Sequence, residues 1–409
     1  MKLNKYLLGG LAGLVIAPTA YADFTIYMTG STAFRAAAYA GVKSLYDNTV
    51  HVNAASLNAN GDLVCVANAQ APLAPTSDST FNGANFMAFS GTMPAFGSQV
   101  VTIYCNWSGS VEGIRDVVQA NALPFLSTAD SQTTAFTNAA PGSAVADFAF
   151  SDVFQNTTIY KTPTMATKQL GVIPFTFVKN QGASGNLTNI THQQAQTLLA
   201  NGVVPLAFIT GDLSSGGDTN RVACLIGRYN GSGTRAVVFA DTGYGALKSS
   251  VNYMYSLTAG PGSTPAFTQV SPDPNIGYTS GSSIKSDMSK SISQALGTDG
   301  STYVTGYAVG YLGVKDAYGV TGNSAGLLNL TYNGVAFSTN AVQNGQYTMW
   351  SYEHLYNKTP LSTDKTTFKN NLATAIPLNL GTGTTIFGIP TSAMTVQRSV
   401  DGGPIGTTY

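Results

Sequence analysis

The chain has 409 residues and a formal net charge of zero, with 9% charged and 44% hydrophobic residues. This charge balance excludes a nucleic-acid-binding or membrane-surface protein, and the high apolar content excludes intrinsic disorder. A chain of this length exceeds one hydrophobic core, so we expect two lobes.

The N-terminus predicts export. Lys2 and Lys5 form a basic region, residues 6–17 are apolar, and the small-x-small pattern at residues 20–22 is typical of a signal-peptide cleavage site. Cleavage there leaves 17 basic against 19 acidic residues. No later stretch reaches the roughly 20 apolar residues that a membrane span needs. We therefore expect a periplasmic or secreted protein without stable membrane insertion; an uncleaved anchor helix is the alternative.

Two strand-turn-helix units open the mature chain. Residues 24–30 form an alternating apolar run, and residues 31–46 carry apolar side chains at helical spacing. The same order recurs in a β-branched run at 99–107, a Ser-Gly turn and a helix-like segment at 111–121. Each unit therefore predicts a buried strand that leads through a tight turn into a helix.

Residues 51–98 separate these two units and differ from them in composition. They are rich in Asn, Ala, Ser, Pro and Gly, and they contain short strand-like pieces near residues 62–67 and 85–90. Clusters of such residues between periodic segments are typical of loops. We interpret this stretch as an insertion on the surface of the first lobe.

The second half of the chain contains a capping box. Thr191 and Gln194 stand at the N-cap and N3 positions of a predicted helix over 191–201, which Gly202 ends. Other predicted elements are a strand at 171–180, a strand-turn-helix unit at 221–245, a helix at 286–297, a buried strand that leads into a turn at 302–317 and a helix at 363–375. Strands that alternate with helices predict an α/β fold, with a mostly parallel central sheet in each lobe.

The three cysteines leave two arrangements open. In an oxidising compartment Cys65 and Cys105 could form a disulfide, because both lie in strand-like runs of the same half. Alternatively, all three, including Cys224, are buried unpaired thiols. Neither their spacing nor the scattered histidines indicates a metal site.

Three turns rich in Gly, Ser and Thr stand at strand-to-helix junctions, at residues 29–32, 108–110 and 231–234. A helix N-terminus presents unpaired backbone N–H groups and the positive end of its dipole, and small residues let an anion approach them. Arg228 or Arg35 could add a fixed positive charge. Each turn alone is explained by ordinary helix capping, whereas three together predict an anion cradle.

These turns also resemble motifs of the periplasmic phosphate-binding proteins of ABC importers. The similar segments, in the same order along the chain, are TGSTAF at 29–34, SGSVEG at 108–113, FAFSDVF at 148–154, RYNGSGTR at 228–235, YAVGYLGVKDA at 307–317 and NGQYTMW at 344–350. The resemblance covers most of the mature chain except residues 51–98.

The resemblance implies a two-lobed type II periplasmic-binding fold with two crossing hinge strands. Lobe I would comprise residues 23–175 and 336–409, and lobe II residues 176–335. The family implies a monomer without cofactor, metal, enzymatic activity or nucleic-acid partner. Such a protein closes over phosphate or a similar oxyanion and delivers it to an ABC importer permease.

The resemblance also implies a set of ligand-binding residues. Carried over position by position, they are Thr32, Ala33, Phe34, Ser110, Asp152, Arg228, Ser232, Gly233 and Thr234. In that family the carboxylate accepts a proton from a hydrogen-bearing phosphate and disfavours sulfate. An unpaired buried acceptor costs roughly 1–3 kcal/mol, so Asp152 would be the discriminating residue.

Two residues depart from the family pattern. Asn230 stands where the family has an aspartate two residues after the arginine, so Arg228 lacks its usual carboxylate partner. Glu112 stands where the family has a small residue, next to Ser110. If the Glu112 side chain points inward it opposes an anion, and if it points outward it stabilises the first helical turn.

Two other functions fit the sequence. The low charge and the Gly- and Tyr-rich composition permit a secreted or surface-associated structural or adhesive protein that keeps the same fold. An anion cradle also suits a phosphoester hydrolase, although we find no nucleophile-base pair or metal cluster in the sequence.

Overall fold

The computed structural model describes residues 24–46, 63–67, 85–125, 142–256, 266–269, 273–289, 294–297, 303–318, 327–381 and 388–407. The predicted signal peptide at residues 1–22 lies outside these ranges. Among the helices of the described ranges, none combines the length and the apolar character of a membrane-spanning segment.

The strands, numbered along the chain, are β1 (Phe24–Gly30), β2 (Leu63–Ala67), β3 (Phe86–Thr92), β4 (Val100–Asn106), β5 (Ala122–Phe125), β6 (Gly142–Val145), β7 (Phe148–Ser151), β8 (Ala166–Asn180), β9 (Asn189–Ile190), β10 (Val203–Pro205), β11 (Arg221–Ile226), β12 (Tyr253–Ser256), β13 (Ala266–Gln269), β14 (Gln294–Gly297), β15 (Tyr303–Gly313), β16 (Leu327–Asn329), β17 (Thr331–Tyr332), β18 (Trp350–Asn357), β19 (Val396–Gln397) and β20 (Gly406–Thr407).

The helices are α1 (Arg35–Lys43), α2 (Ser110–Gln119), α3 (His192–Asn201), α4 (Leu206–Thr210), α5 (Gly233–Asp241), α6 (Gly281–Met288), α7 (Val314–Tyr318), α8 (Thr339–Gln343) and α9 (Thr363–Leu378). Short 3-10 turns lie at Pro94–Phe96, Gln155–Thr157, Asp218–Asn220 and Thr391–Ala393.

A single path of paired strands runs through the molecule, in the order β10-β11-β15-β8-β18-β7-β1-β4-β3-β2. β1 pairs parallel with β4 and β7, and β11 pairs parallel with β15. We call the part from β7 to β2 the β1 half and the part from β10 to β15 the β11 half. Each half thus has parallel strands at its centre, followed by helices, which confirms the α/β prediction.

β8 and β18 join the two halves. Residues 166–174 of β8 pair antiparallel with β18, and residues 175–179 pair antiparallel with β15 of the β11 half. Pro174 lies where β8 passes from one partner to the other, and β18 continues the ladder onto β7. The fold therefore has two halves connected by two crossing strands, whereas the exact lobe boundaries stay a prediction.

Part of the stretch 51–98 belongs to the sheet rather than to a surface insertion. β2 and β3 pair antiparallel with each other, and β3 pairs with β4 along its whole length. Met87, Phe89 and Met93 are buried in the core of the β1 half. The predicted short strands are confirmed, but the surface position is wrong for this part, because apolar side chains of β3 face the core.

The proposed pairing of Cys65 with Cys105 is wrong, since Cys105 is an unpaired buried thiol. β3 lies between β2 and β4, so the two cysteines stand on strands that are not neighbours. Two strand spacings amount to about 10 Å, beyond the about 7 Å between Cα atoms that a disulfide spans. Cys224 is likewise buried and unpaired.

The predicted capping box is confirmed at the start of α3. The Thr191 hydroxyl accepts a hydrogen bond from the Gln194 amide at 3.3 Å, and the Gln194 side chain accepts one from the Thr191 amide at 2.9 Å. Gly202 follows the helix with a left-handed φ of +72°, a conformation that favours glycine.

The helix predicted at 286–297 is confirmed at residues 286–288 and is wrong at residues 294–297. α6 ends at Met288, and residues 294–297 form β14, in which Ala295 lies opposite Thr305 of β15. The apolar residues near Gly297 satisfy a helical period, but the edge of β15 offers their backbone groups a partner 10 residues along the chain. Tertiary pairing therefore overrides the local pattern.

Candidate anion-binding site

Three helices begin directly after parallel strands, as the sequence predicts. α1 follows β1, α2 follows β4 and α5 follows β11. The α2 and α5 turns meet across the two halves, because the amides of Val111 and Glu112 donate to the carbonyl of Gly231 at 3.1 and 3.3 Å. The N-termini of α2 and α5 therefore lie at one place, at the contact between the halves.

Gly233, Ser110 and Asp152 are in direct contact there. A Cβ atom on Gly233 would overlap Oδ1 of Asp152 and lie 2.5 Å from Cβ of Ser110. Gly233 comes from the β11 half, whereas Ser110 and Asp152 follow β4 and β7 of the β1 half. Only glycine permits this approach, so the close contact requires the residue that the motif supplies.

Arg228 bridges the two halves from the end of β11. Its guanidinium donates to the Thr32 hydroxyl at 3.2 Å and lies 3.5 Å from the Thr234 hydroxyl. It also donates to the carbonyls of Tyr278 and Thr279 at 3.0 and 2.9 Å. The side chain is 2% exposed, and burial lowers its pKa. Backbone carbonyls therefore hold the Arg228 guanidinium in place, whereas the family pattern has a carboxylate in this role.

Asp152, which the sequence predicts as the acceptor, is buried. Its side chain is 1% exposed, and neither of its oxygens has a well-formed hydrogen bond within the described ranges. Burial raises the pKa of Asp152 to about 6, while the nearby Ser110 hydroxyl and Arg228 guanidinium act to lower it. A carboxyl group in this setting can accept a hydrogen bond or a proton from a ligand.

The loop after β1, which carries Thr32, Ala33 and Phe34, brings fewer side chains to the candidate site than the sequence predicts. Phe34 is fully buried, with its ring 6.0 Å from that of Phe150. Ala33 faces the β11 half, because a Cβ on Gly313 would lie 3.9 Å from that of Ala33. Thr32, the third predicted residue of this loop, accepts a hydrogen bond through its hydroxyl from the Arg228 guanidinium.

Ser232 and Arg35 hold their loops in place. The Ser232 hydroxyl accepts a hydrogen bond from the Arg235 amide at 3.3 Å and can still donate its own hydrogen. Arg35 is buried rather than solvated: it donates to the Thr32 carbonyl at 3.1 Å and to the Asn85 side chain at 2.7 Å. Burial lowers the pKa of Arg35 to about 10.

The two departures from the family pattern lie outside the contact between Gly233 and Asp152. Glu112 forms an ion pair with Arg115 one turn along α2, and Asn230 is exposed. Both line a cavity of about 180 Å³ beside Gly231. Glu112 lies in the first turn of α2, and its charge is partly neutralised by Arg115 on the same helix.

Sequence reasoning missed two acidic residues that surround Asp152. Glu353 lies in β18 and Asp401 in the C-terminal segment, and both are buried. Asp401 accepts hydrogen bonds from Ser351 and Thr157, both at 2.6 Å. The sequence offers one indication of a special role for Glu353, since the chain contains only two glutamates.

Within the described ranges, no group of three or more His, Cys, Asp or Glu side chains is arranged to hold a metal ion.

Comparisons with known proteins give structural neighbours only. No family model and no curated protein matches the sequence. An ABC-type phosphate transport receptor from Vibrio cholerae is 13% identical, with 87% of this chain and 98% of that chain covered and a TM-score of 0.43. A putative phosphate ABC transporter substrate-binding protein from Clostridium perfringens is 12% identical, with 89% and 99% covered and a TM-score of 0.46. A possible phosphate-binding protein from Planctomyces limnophilus is 12% identical, with 91% and 95% covered and a TM-score of 0.41.

Proposed function

We propose that the protein is an exported solute-binding protein that captures phosphate or a related oxyanion between its two lobes. One observation supports this above the others: Ser110, Asp152, Gly233 and Arg228 come from both halves of the sheet and converge on one buried place. They combine a guanidinium, a hydroxyl, helix N-termini and one carboxyl group.

These groups suit a tetrahedral oxyanion that carries hydrogen. The guanidinium of Arg228 and the N-termini of α2 and α5 favour negative charge. Asp152 in turn needs a donor, which a hydrogen-bearing phosphate supplies and sulfate does not. Leaving a buried acceptor unpaired costs roughly 1–3 kcal/mol, which corresponds to about a 5- to 150-fold preference for phosphate over sulfate.

The two halves suggest how the ligand is captured and released. Arg228, Ser232, Gly233 and Thr234 would reach the ligand from the β11 half, and Thr32, Ser110 and Asp152 from the β1 half. Rotation about β8 and β18, the two crossing strands, would separate these groups and expose the ligand. In this proposal the monomeric protein delivers the ligand to the permease of an ABC importer.

Thermal unfolding tests the proposed ligand. The mature protein, in a phosphate-free buffer, should unfold at a higher temperature when phosphate is added. At a hundredfold excess over Kd, the expected stabilisation is about 2.7 kcal/mol. Sodium chloride at equal ionic strength is the control for a general salt effect. The absence of any shift with phosphate, arsenate or sulfate at millimolar concentration would refute oxyanion capture.

A further inference from the structure

Glu353 is a buried carboxyl group without an assigned role. It lies in the middle of β18, is fully buried, and neither of its oxygens has a well-formed hydrogen bond within the described ranges. An isolated buried carboxylate is strongly unfavourable, so such a group is either protonated or placed to meet a ligand. The position of Glu353 relative to the candidate anion site indicates which of these two explanations applies.

The strand register places Glu353 beside Asp152. β18 pairs antiparallel with β7, and His354 lies opposite Ser151. Glu353 precedes His354 and Asp152 follows Ser151, so both carboxyl groups lie just beyond the last residue pair of this ladder, and the charge of Asp152 acts on Glu353. Ser31, just after β1, is the third neighbour, and its buried hydroxyl lies close enough to Glu353 to lower the pKa of that carboxyl group.

The groups around the two carboxyls include one positive charge. Arg228 faces Asp152 from the β11 half, and Asp401 faces it from the C-terminal segment. His354 is uncharged at neutral pH, since burial lowers its pKa to about 3. Burial and the charge of Asp152 both raise the pKa of Glu353 well above its ordinary value, and the Ser31 hydroxyl acts to lower it. Two adjacent buried carboxyls with so little positive charge nearby tend to share a proton.

We propose that Glu353 and Asp152 form a proton-holding pair on the floor of the anion site, and that oxyanion binding draws a proton from solvent onto this pair. The inference rests on the proposed function. A bound phosphate brings negative charge next to the pair, and added negative charge favours the protonated form of a neighbouring acid. Glu353 thereby couples the affinity for the oxyanion to the pH of the solution.

Titration calorimetry with inorganic phosphate measures the coupling directly. Binding is followed from pH 6 to pH 8.5 in pairs of buffers with different ionisation enthalpies, which gives the number of protons taken up. The variants are Glu353→Gln and, as the matched control, Glu112→Gln, which changes the other glutamate of the chain. Glu112 pairs with Arg115 on its own helix, and it is not among the charged groups that shift the pKa of Asp152 or Glu353.

The wild type and Glu112→Gln should take up as much as one proton more per bound phosphate than Glu353→Gln. For each unit by which the pH rises, the phosphate affinity of the wild type and of Glu112→Gln should therefore fall by up to tenfold more than the phosphate affinity of Glu353→Gln. Equal proton uptake and equal pH slopes in all three proteins would overturn the coupling alone. If Glu353→Gln does not fold, a wild type that takes up no proton beyond the ionisation of phosphate itself overturns the coupling. A wild type that binds no phosphate at any pH would overturn the proposed function as well.

Discussion

Replacing Gly233 with alanine is expected to lower the affinity for phosphate by about 5- to 150-fold, because overpacking a close contact costs roughly 1–3 kcal/mol. The new Cβ would overlap the Asp152 carboxyl group and lie 2.5 Å from Cβ of Ser110. These neighbours belong to the other half of the molecule, so the methyl group pushes the two halves apart. Alanine also favours helix within α5, so the unfolding stability should change less than the affinity.

Gly185→Ala is the matched control for this substitution. Gly185 is exposed, and a Cβ there would meet no atom within 4 Å. Phosphate affinity, measured by calorimetry, should be unchanged in this variant. Wild-type affinity in Gly233→Ala would show that phosphate does not bind between Gly233 and Asp152.

Replacing Asp152 with asparagine is expected to stabilise the ligand-free protein at pH 7.5. The pKa of Asp152 is about 6 in the folded protein and 3.8 as its ordinary value. Between pH 3.8 and pH 6 the folded state binds more protons at Asp152 than the unfolded state does. The contribution of protonated Asp152 to the free energy of unfolding is therefore complete below pH 3.8 and is lost as the pH rises through 6. The full difference is about 3 kcal/mol at pH 7.5, at about 1.4 kcal/mol for each pKa unit.

Denaturant unfolding at pH 4 and pH 7.5 checks this prediction. Asp152→Asn should gain stability over the wild type at pH 7.5 and little or none at pH 4. Asp147→Asn is the control, because Asp147 pairs with Lys365 at 2.6 Å and should give no gain at pH 7.5. A loss of stability in Asp152→Asn at pH 7.5 would mean that the carboxylate is well paired in the folded protein.

The local elements of the fold were largely predictable from the sequence. The capping box at Thr191, the helix that begins at Thr363 and the three strand-turn-helix units follow from apolar periodicity and from residues that start or stop helices. These signals act within a few residues of the chain. The Gly233 and Arg228 positions were predictable for a similar reason, since the motif that carries them is continuous.

Long-range pairing explains most of what the sequence did not reveal. β3 reads as part of an Asn- and Ser-rich insertion, yet it becomes a core strand because β4 offers it a complete antiparallel partner. The β14 segment resembles the end of a helix in sequence, yet it becomes a strand because β15 offers it an antiparallel partner. Neither partner is visible in a local window, so periodicity alone places both segments wrongly.

Glu353 was missed for a different reason. All eight residues of β18 are buried, because the strand crosses the centre of the molecule and is covered on both faces. The polar residues in WSYEHLYN therefore do not mark a solvent-facing side, as they would in an edge strand. Only the pairing of His354 with Ser151 shows that Glu353 lies at the anion site.

A crystal structure of the mature protein with phosphate would show directly where the ligand binds. We expect a tetrahedral density between Ser110 and Ser232, in contact with the Arg228 guanidinium and with a carboxyl oxygen of Asp152. Phosphate bound elsewhere, or a density between these residues that does not contact Asp152 or Arg228, would contradict this expectation.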